Sequence, residues 1–439
     1  MSNEDSANEA GHVSGGGEYD ASPVAPAPVA PAKLTERISS LDFIRGLAVM
    51  GILFANIIGF GQPMNAYMDP SLFLTPANDP GGWQWITQFV VIDGKMRALF
   101  TILFGAGLYL FMERAWARGA GRMLQARRLL ILLAIGLLHY FFIWKGDILS
   151  SYAVWGLVAL ACINWKPGMK MFFGVGTYIL GGLAYTAMFM GMQTVATMDT
   201  GAKAGLAAQQ EEMIGYKDVE VADGLVEAAI KQAGDYGGLV AHNFSEHLWD
   251  PPLAWLSVSM ETWPLILIGM ALYQWGFFSG GFDRRKMQLW GWIGLIGGAA
   301  GMLAIGLATK AAGFNYFATM TAFIGTSAFP ILPMALGMAA LLVVYSPGWS
   351  GWLSDRVRAA GRAAFTNYLG TSIIMLFVFH GWALDLFGEL NRPQLYLVAV
   401  LTCGLMLLWS KPWLERFRYG PLEWLWRCLT YGKMFPMKR

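Results

Sequence analysis

The sequence predicts an all-α, polytopic helical membrane protein with about ten transmembrane helices and both termini cytoplasmic. Three observations carry this expectation. Of the 439 residues, 56% are hydrophobic and only 14% charged, against roughly 25% charged in an ordinary soluble domain. Ten apolar stretches approach the about 20 residues that a helix needs to cross a hydrocarbon core. Lysines and arginines gather in alternate loops, as an oriented membrane protein requires. The net charge of +2 gives no reason to expect nucleic acid as a partner; membrane lipids are the expected surroundings.

Residues 1 to 36 read as a disordered, Ala/Pro/Gly-rich cytoplasmic tail, and the first 32 of them lack the Lys or Arg of a secretory signal. The apolar stretches follow at 41 to 60, 89 to 112, 126 to 144, 148 to 165, 171 to 194, 253 to 278, 288 to 310, 317 to 345, 363 to 386 and 394 to 412. Five fall in a membrane half at 37–194 and five in a half at 253–435. Arg114, Arg118, Arg122, Arg127 and Arg128 lie between the second and third stretches. Lys166 and Lys170 follow the fourth, Arg284, Arg285 and Lys286 the sixth, and Arg356, Arg358 and Arg362 the eighth. All these loops share the side of the N-terminus, so that side is expected to face the cytoplasm of a bacterial inner membrane.

On the opposite side one long segment, 195–252, is acidic, with Val219, Leu225, Ala229 and Ile230 spaced as a helical stripe. It predicts one or two amphipathic helices, in a segment that either caps the outer face as a lid or is an ordinary solvated loop. Within the seventh stretch, Gly294 with Gly298 and Gly297 with Gly301 stand four apart, a spacing that allows close helix contact, here expected inside the chain. Cys162, Cys403 and Cys428 are far apart and imply no disulfide framework.

Ionisable groups inside a bilayer are costly and so mark candidate sites. With the orientation fixed, His139, Asp147, Asp93, Asn56, Arg97, Glu261 and His380 all fall toward the outer face. A histidine oriented by a carboxylate can act as a general base. His139 is the expected base, with Asp147 or Asp93 holding it; Arg97, Asn56, Glu261 and His380 are candidate substrate contacts. Asp42, Arg45, Arg362 with Asn367, the arginines of the second loop and the basic C-terminus form a second group at the inner face, suited to anionic lipid or a phosphate-bearing donor. His242 and His247 are five apart, off the i, i+4 spacing of a helical zinc site, so no metal is expected. Phosphate-cradling and dinucleotide motifs are lacking, and no permanently bound cofactor is expected.

Three blocks together resemble the YeiB-like family of bacterial membrane proteins that carries the domain of unknown function 418. The first is Arg37 to Ile57, including Ser40-Leu-Asp-Phe-Ile-Arg-Gly46. The second runs from Asp93-Gly-Lys-Met-Arg97 to His139 and on to Trp144-Lys-Gly-Asp147 and Tyr152. The third spans Gly361-Arg-Ala-Ala-Phe-Thr-Asn-Tyr368 and Tyr419-Gly-Pro-Leu-Glu-Trp-Leu-Trp-Arg427. The first-span pattern is also similar to that of the transmembrane acyltransferase superfamily. That resemblance implies transfer of an acyl group from cytoplasmic acyl-CoA to an extracytoplasmic sugar, lipid or cell-wall acceptor, with Arg45 on the donor side and Asn56 and Asp93 toward the acceptor. The superfamily's acetyltransferase has an active-site histidine after its first span, whereas residues 61 to 86 contain none; His139 then serves as base. A proton-coupled transporter or flippase using Glu261, His139 and Asp93, or a non-catalytic envelope protein, are the competing readings.

Overall fold

The computed structural model describes residues 39–199 and 204–439, and among these the protein is helical without β-strands. The predicted tail at 1–36 lies outside the described residues. In chain order the helices are α1 (Ser39–Gly61), α2 (Trp83–Val91), α3 (Lys95–Trp116), α4 (Arg122–Phe142), α5 (Leu149–Ala161), α6 (Pro167–Thr197), α7 (Ala204–Gln232), α8 (Tyr236–Ser245), α9 (Asp250–Ser257) and α10 (Ser259–Gln274). They continue as α11 (Arg284–Ala311), α12 (Tyr316–Met320), α13 (Ala328–Tyr345), α14 (Trp352–Arg362), α15 (Ala364–Phe379), α16 (Arg392–Arg416) and α17 (Pro421–Tyr431).

Six of these, α1, α4, α6, α11, α13 and α16, are long and apolar enough to cross a membrane, and the number reaches eight if two bent pairs each count as one span. The sequence suggested about ten, and the difference has local causes. The second stretch is broken at Gly94, whose φ of 76° favours a residue without a Cβ, so Asp93 sits in a turn between α2 and α3. The fourth is helical only over the 13 residues of α5. The sixth bends by 59° between α9 and α10, and α14 meets α15 at 87°. The ninth stretch therefore begins at a corner, and its helix ends at Phe379 rather than 386.

Helix α1 is the most enclosed candidate span, 67% buried, and packs against α3, α14, α15 and α16. Lipid tails are as apolar as leucine, so close packing rather than hydrophobic exclusion must bring such helices together. Small residues provide it. A Cβ on Gly105 or Gly269 would overlap the backbone of the facing helix where α3 crosses α10. In α11, a Cβ on Gly294 would come 2.5 Å from the Pro333 carbonyl oxygen and one on Gly298 2.7 Å from that of Pro330, so this face packs internally against α13. Gly297 faces open space.

The segment at 195–252 forms α7 and α8 and leads into α9. It docks across the far ends of α4 and α15, opposite the start of α1. Tyr236 Oη donates to Phe142 O at 2.7 Å, Asn243 Nδ2 to Phe141 O at 3.0 Å, and Gly381 N to Lys231 O at 2.9 Å. The docked face is not the predicted apolar stripe. Val219 is 69% exposed and Leu225 50%, while Gly224, Glu227, Ala228 and Lys231 are buried. Glu227 joins Lys145 at 2.7 Å and Lys231 at 2.6 Å, so buried ion pairs, not apolar periodicity, select the face. Burial alone would raise the Glu227 pKa, but these two ammonium groups outweigh it and hold the carboxyl well below the usual range.

Candidate functional site

At the end of the molecule where α1 begins, a cavity of about 620 Å³ opens among α1, α3, α4, α5, α14, α15 and α17. Its outer part carries seven arginines, Arg45, Arg114, Arg118, Arg128, Arg362, Arg418 and Arg427, against two carboxylates, Asp42 and Glu423. Asp42 pairs with Arg45 at 3.4 Å. Glu423 is turned to the α14–α15 corner, accepting from Phe365 N at 2.8 Å and Thr366 N at 3.1 Å, and so caps α15. Aromatic rings fix two guanidinium groups: Arg128 lies 4.1 Å from the Trp426 ring centroid and 4.6 Å from that of Phe111, and Arg427 lies 4.8 Å from that of Tyr419. Deeper in, the wall becomes apolar and phenolic, with Phe100, Leu132, Leu149, Tyr152 and Tyr368.

Behind Tyr368 lies the predicted dyad. His139, near the end of α4, brings Nδ1 to 2.9 Å from Asp147 Oδ1, and both side chains are buried, 1% and 0% exposed. The approach depends on Gly136, one turn earlier, where a Cβ would stand 2.9 Å from Asp147 Oδ2 and 2.5 Å from Ser150 N. Asp147 Oδ2 accepts from Ser150 N at 2.8 Å, which fixes the carboxylate at the start of α5. With Nδ1–H donated to Asp147, the lone pair is on Nε2, and that buried atom has no hydrogen-bond partner among the described residues. The His139 ring is 5.6 Å from that of Tyr368, centroid to centroid.

The remaining predicted residues go elsewhere. Asp93 does not orient His139: it accepts from Tyr67 Oη at 3.0 Å and Gln88 Nε2 at 3.1 Å, in a buried network that continues through Gln88 to Arg392 and Tyr396. Arg97 and Glu261 bind each other in a bidentate pair at 3.0 and 2.8 Å, joining α3 to α10 outside the cavity. Their charges satisfy one another, so neither is placed as the expected substrate contact. Asn56 is half-buried on α1 and joins neither the cavity wall nor the dyad. Asn367 is structural, donating to Ala360 O and Ser410 Oγ and accepting from Trp409 Nε1. Sequence reading gathered Arg45 and Arg362 with a basic C-terminus but did not single out Arg427, Tyr152 or Tyr368. Their signal was present in the Tyr419 to Arg427, Gly361 to Tyr368 and Trp144 to Tyr152 blocks, without any indication that the three meet.

His380 is buried just beyond α15, in a small recess with Lys145, Glu227 and Lys231. Burial, aided by the Lys231 ammonium and opposed by Glu227, lowers its pKa from 6.5 to about 4. The unfolded imidazole then takes up a proton before the folded one, so stability from this group is full above pH 6.5 and is lost as pH falls toward 4, by at most roughly 3 kcal/mol. Protease accessibility of residues 205–245 should rise through that window and be flatter in His380→Gln. Identical profiles for the two proteins would contradict the assignment.

Comparison with known proteins identifies relatives of this chain. Residues 272–433 match the family model described as Protein of unknown function (DUF418). "Uncharacterized protein YeiB" of Escherichia coli (strain K12) is 30% identical over 90% of this chain and 96% of its own. "Uncharacterized protein YxaH" of Bacillus subtilis (strain 168) is 28% identical over 93% and 98%. A Bacillus acidopullulyticus relative, "Uncharacterized 39.9 kDa protein in amylase 3'region", is 26% identical over 93% and 97%. No solved structure matches. Spanning nearly the whole of its Escherichia coli relative at that identity, the chain belongs to the YeiB-like family of membrane proteins that carries the domain of unknown function 418.

Proposed function

We propose that this protein is a transferase of the bacterial inner membrane. Its basic cavity holds an acyl-CoA donor from the cytoplasm, and the acyl group passes to an extracytoplasmic sugar, lipid or cell-wall acceptor. One observation carries the reading: a single cavity is lined by arginines at its mouth and by apolar and phenolic side chains at depth, where Tyr368 separates it from the His139–Asp147 dyad. Arginines suit phosphate because their planar donors meet its oxygens in pairs, and the apolar depth suits an acyl chain. Arg45 and Arg362 hold phosphate; Asp147 holds the His139 tautomer. His139 Nε2 takes the proton of the acceptor hydroxyl as its oxygen bonds to the thioester carbon. The C–S bond breaks, and the departing thiolate takes that proton from the imidazolium.

Purified protein in liposomes that contain a bacterial envelope extract as the source of acceptor hydroxyls, given a long-chain acyl-CoA, should bind it, acylate the extract and release free thiol. Arg45→Ala should weaken donor binding about 10- to 100-fold, the range for a lost hydrogen bond to a charged group. Binding of anionic phospholipid without binding of acyl-CoA, or lipid redistribution without thiol release, would replace this reading with the flippase one. Against that alternative, Glu261, His139 and Asp93 each bind a different partner, Arg97, Asp147 and Tyr67.

A further inference from the structure

We infer that the extramembrane helices hold a zinc-class divalent cation between Asp223 of α7, His242 of α8 and His247 of the turn before α9. Their ligand atoms lie within 4.8 Å of one another. His242 Nε2 is 3.1 Å from Asp223 Oδ1, and His247 Nε2 is 3.2 Å from Asp223 Oδ2, close to the about 3.3 Å that separates neighbouring ligands of a tetrahedral zinc. Two imidazoles and a carboxylate are a recurrent zinc donor set.

The protons are arranged for a cation. His247 Nδ1 meets Asp250 Oδ2 at 2.9 Å, the carboxylate contact that commonly orients a ligating histidine and turns its Nε2 lone pair inward. His247 Nε2 also lies 3.0 Å from the Lys145 ammonium, which can only donate, so that nitrogen is an acceptor. An accepting nitrogen and a carboxylate oxygen 3.2 Å apart repel unless positive charge lies between or beside them. Lys145 supplies part of it, at 3.9 Å from Asp223 Oδ2. His242 Nε2 is buried and, although 3.1 Å from Asp223 Oδ1, is not aligned to hydrogen-bond to it. A divalent ion satisfies both nitrogens and the carboxylate together, while Lys145 keeps its bond to Glu227. The i, i+5 spacing hid the site because the two histidines lie on successive elements rather than one helix face. The metal fastens α7 to α8 and to the start of α9, independently of the chemistry proposed for the cavity.

The test uses the untagged, chelator-stripped full chain in detergent, titrated with zinc alone against a chromophoric competitor. One equivalent should bind at micromolar zinc or below. His242→Ala and His247→Ala should each weaken it at least 100-fold, and Asp250→Asn 10- to 100-fold. His242→Gln and His247→Gln, which keep a polar side chain of similar size but no imidazole, should lose zinc binding likewise and decide the matter where an alanine variant does not fold. Less than a tenth of an equivalent in the wild type, or wild-type affinity in the folded histidine variants, would each overturn the site.

Discussion

Gly361→Val is expected to leave almost no folded protein in the membrane fraction. Helices α1 and α14 cross with their backbones in contact. A Cβ on Gly361 would overlap the Asp42 carbonyl oxygen and stand 2.6 Å from Gly46 N, and a Cβ on Gly46 would overlap the Val357 carbonyl oxygen. These obstacles are backbone atoms, so no rotamer change relieves them. Helix α1 cannot retreat either, since α3, α15 and α16 pack around it. Overpacking of a close core typically costs about 1–3 kcal/mol and more where backbone must move; with both helices pinned the upper end or beyond applies, a large share of a marginal stability. The crossing also sets the cavity, whose wall includes Asp42, Arg45, Gly361 and Arg362. Gly297→Val is the control, because that glycine has nothing within 4 Å and should accumulate as the wild type does. Equal yields and equal thermal midpoints in detergent for the two variants would show that the crossing tolerates a side chain.

The same pair of glycines shows what was legible in the sequence. Spacing identified the small-residue face of α11, because both partners of a four-residue repeat lie on one helix. Gly46 and Gly361 form an equivalent contact from helices more than three hundred residues apart, and nothing local relates them. The charges divide similarly. Loop arginines announced a basic face by their sign alone, and Asp147 stood near enough in sequence to His139 to be paired correctly. Asp93, equally close to a predicted outer end, was drawn instead to Gln88 and Tyr67. Arg97 was matched by Glu261, 164 residues later. A buried charge takes whichever partner the packing supplies, and packing between distant helices is not written in hydropathy. For α7 hydropathy pointed to the wrong face, since the docking energy comes from Lys145 and Lys231 around one carboxylate.

Loss of the His139 imidazole should have the largest effect on the proposed acyl transfer. His139→Ala confounds two effects, because it leaves the buried Asp147 carboxylate with the Ser150 N–H but one hydrogen bond short, a loss of roughly 1–3 kcal/mol or more for a charged acceptor. His139→Gln is the cleaner variant: its amide can still donate to Asp147 while offering no base. Folded yield should stay near that of the wild type, and acyl transfer should fall by about 10²- to 10⁴-fold, the usual contribution of a placed general base. Asp147→Asn should also slow transfer, since an amide in place of the carboxylate no longer favours the tautomer with its lone pair on Nε2. Its consequence for donor binding should be small, because the dyad lies behind Tyr368 and outside the arginine-lined mouth. Arg45→Ala should show the reverse pattern, with donor affinity lost and the chemical step preserved at saturating donor. Glu261→Gln removes an α3–α10 tie and should lower thermal stability without separating binding from turnover. Should His139→Gln transfer at the wild-type rate, the dyad is a structural clasp between the end of α4 and the start of α5, and the base must be sought among the phenols of the cavity wall.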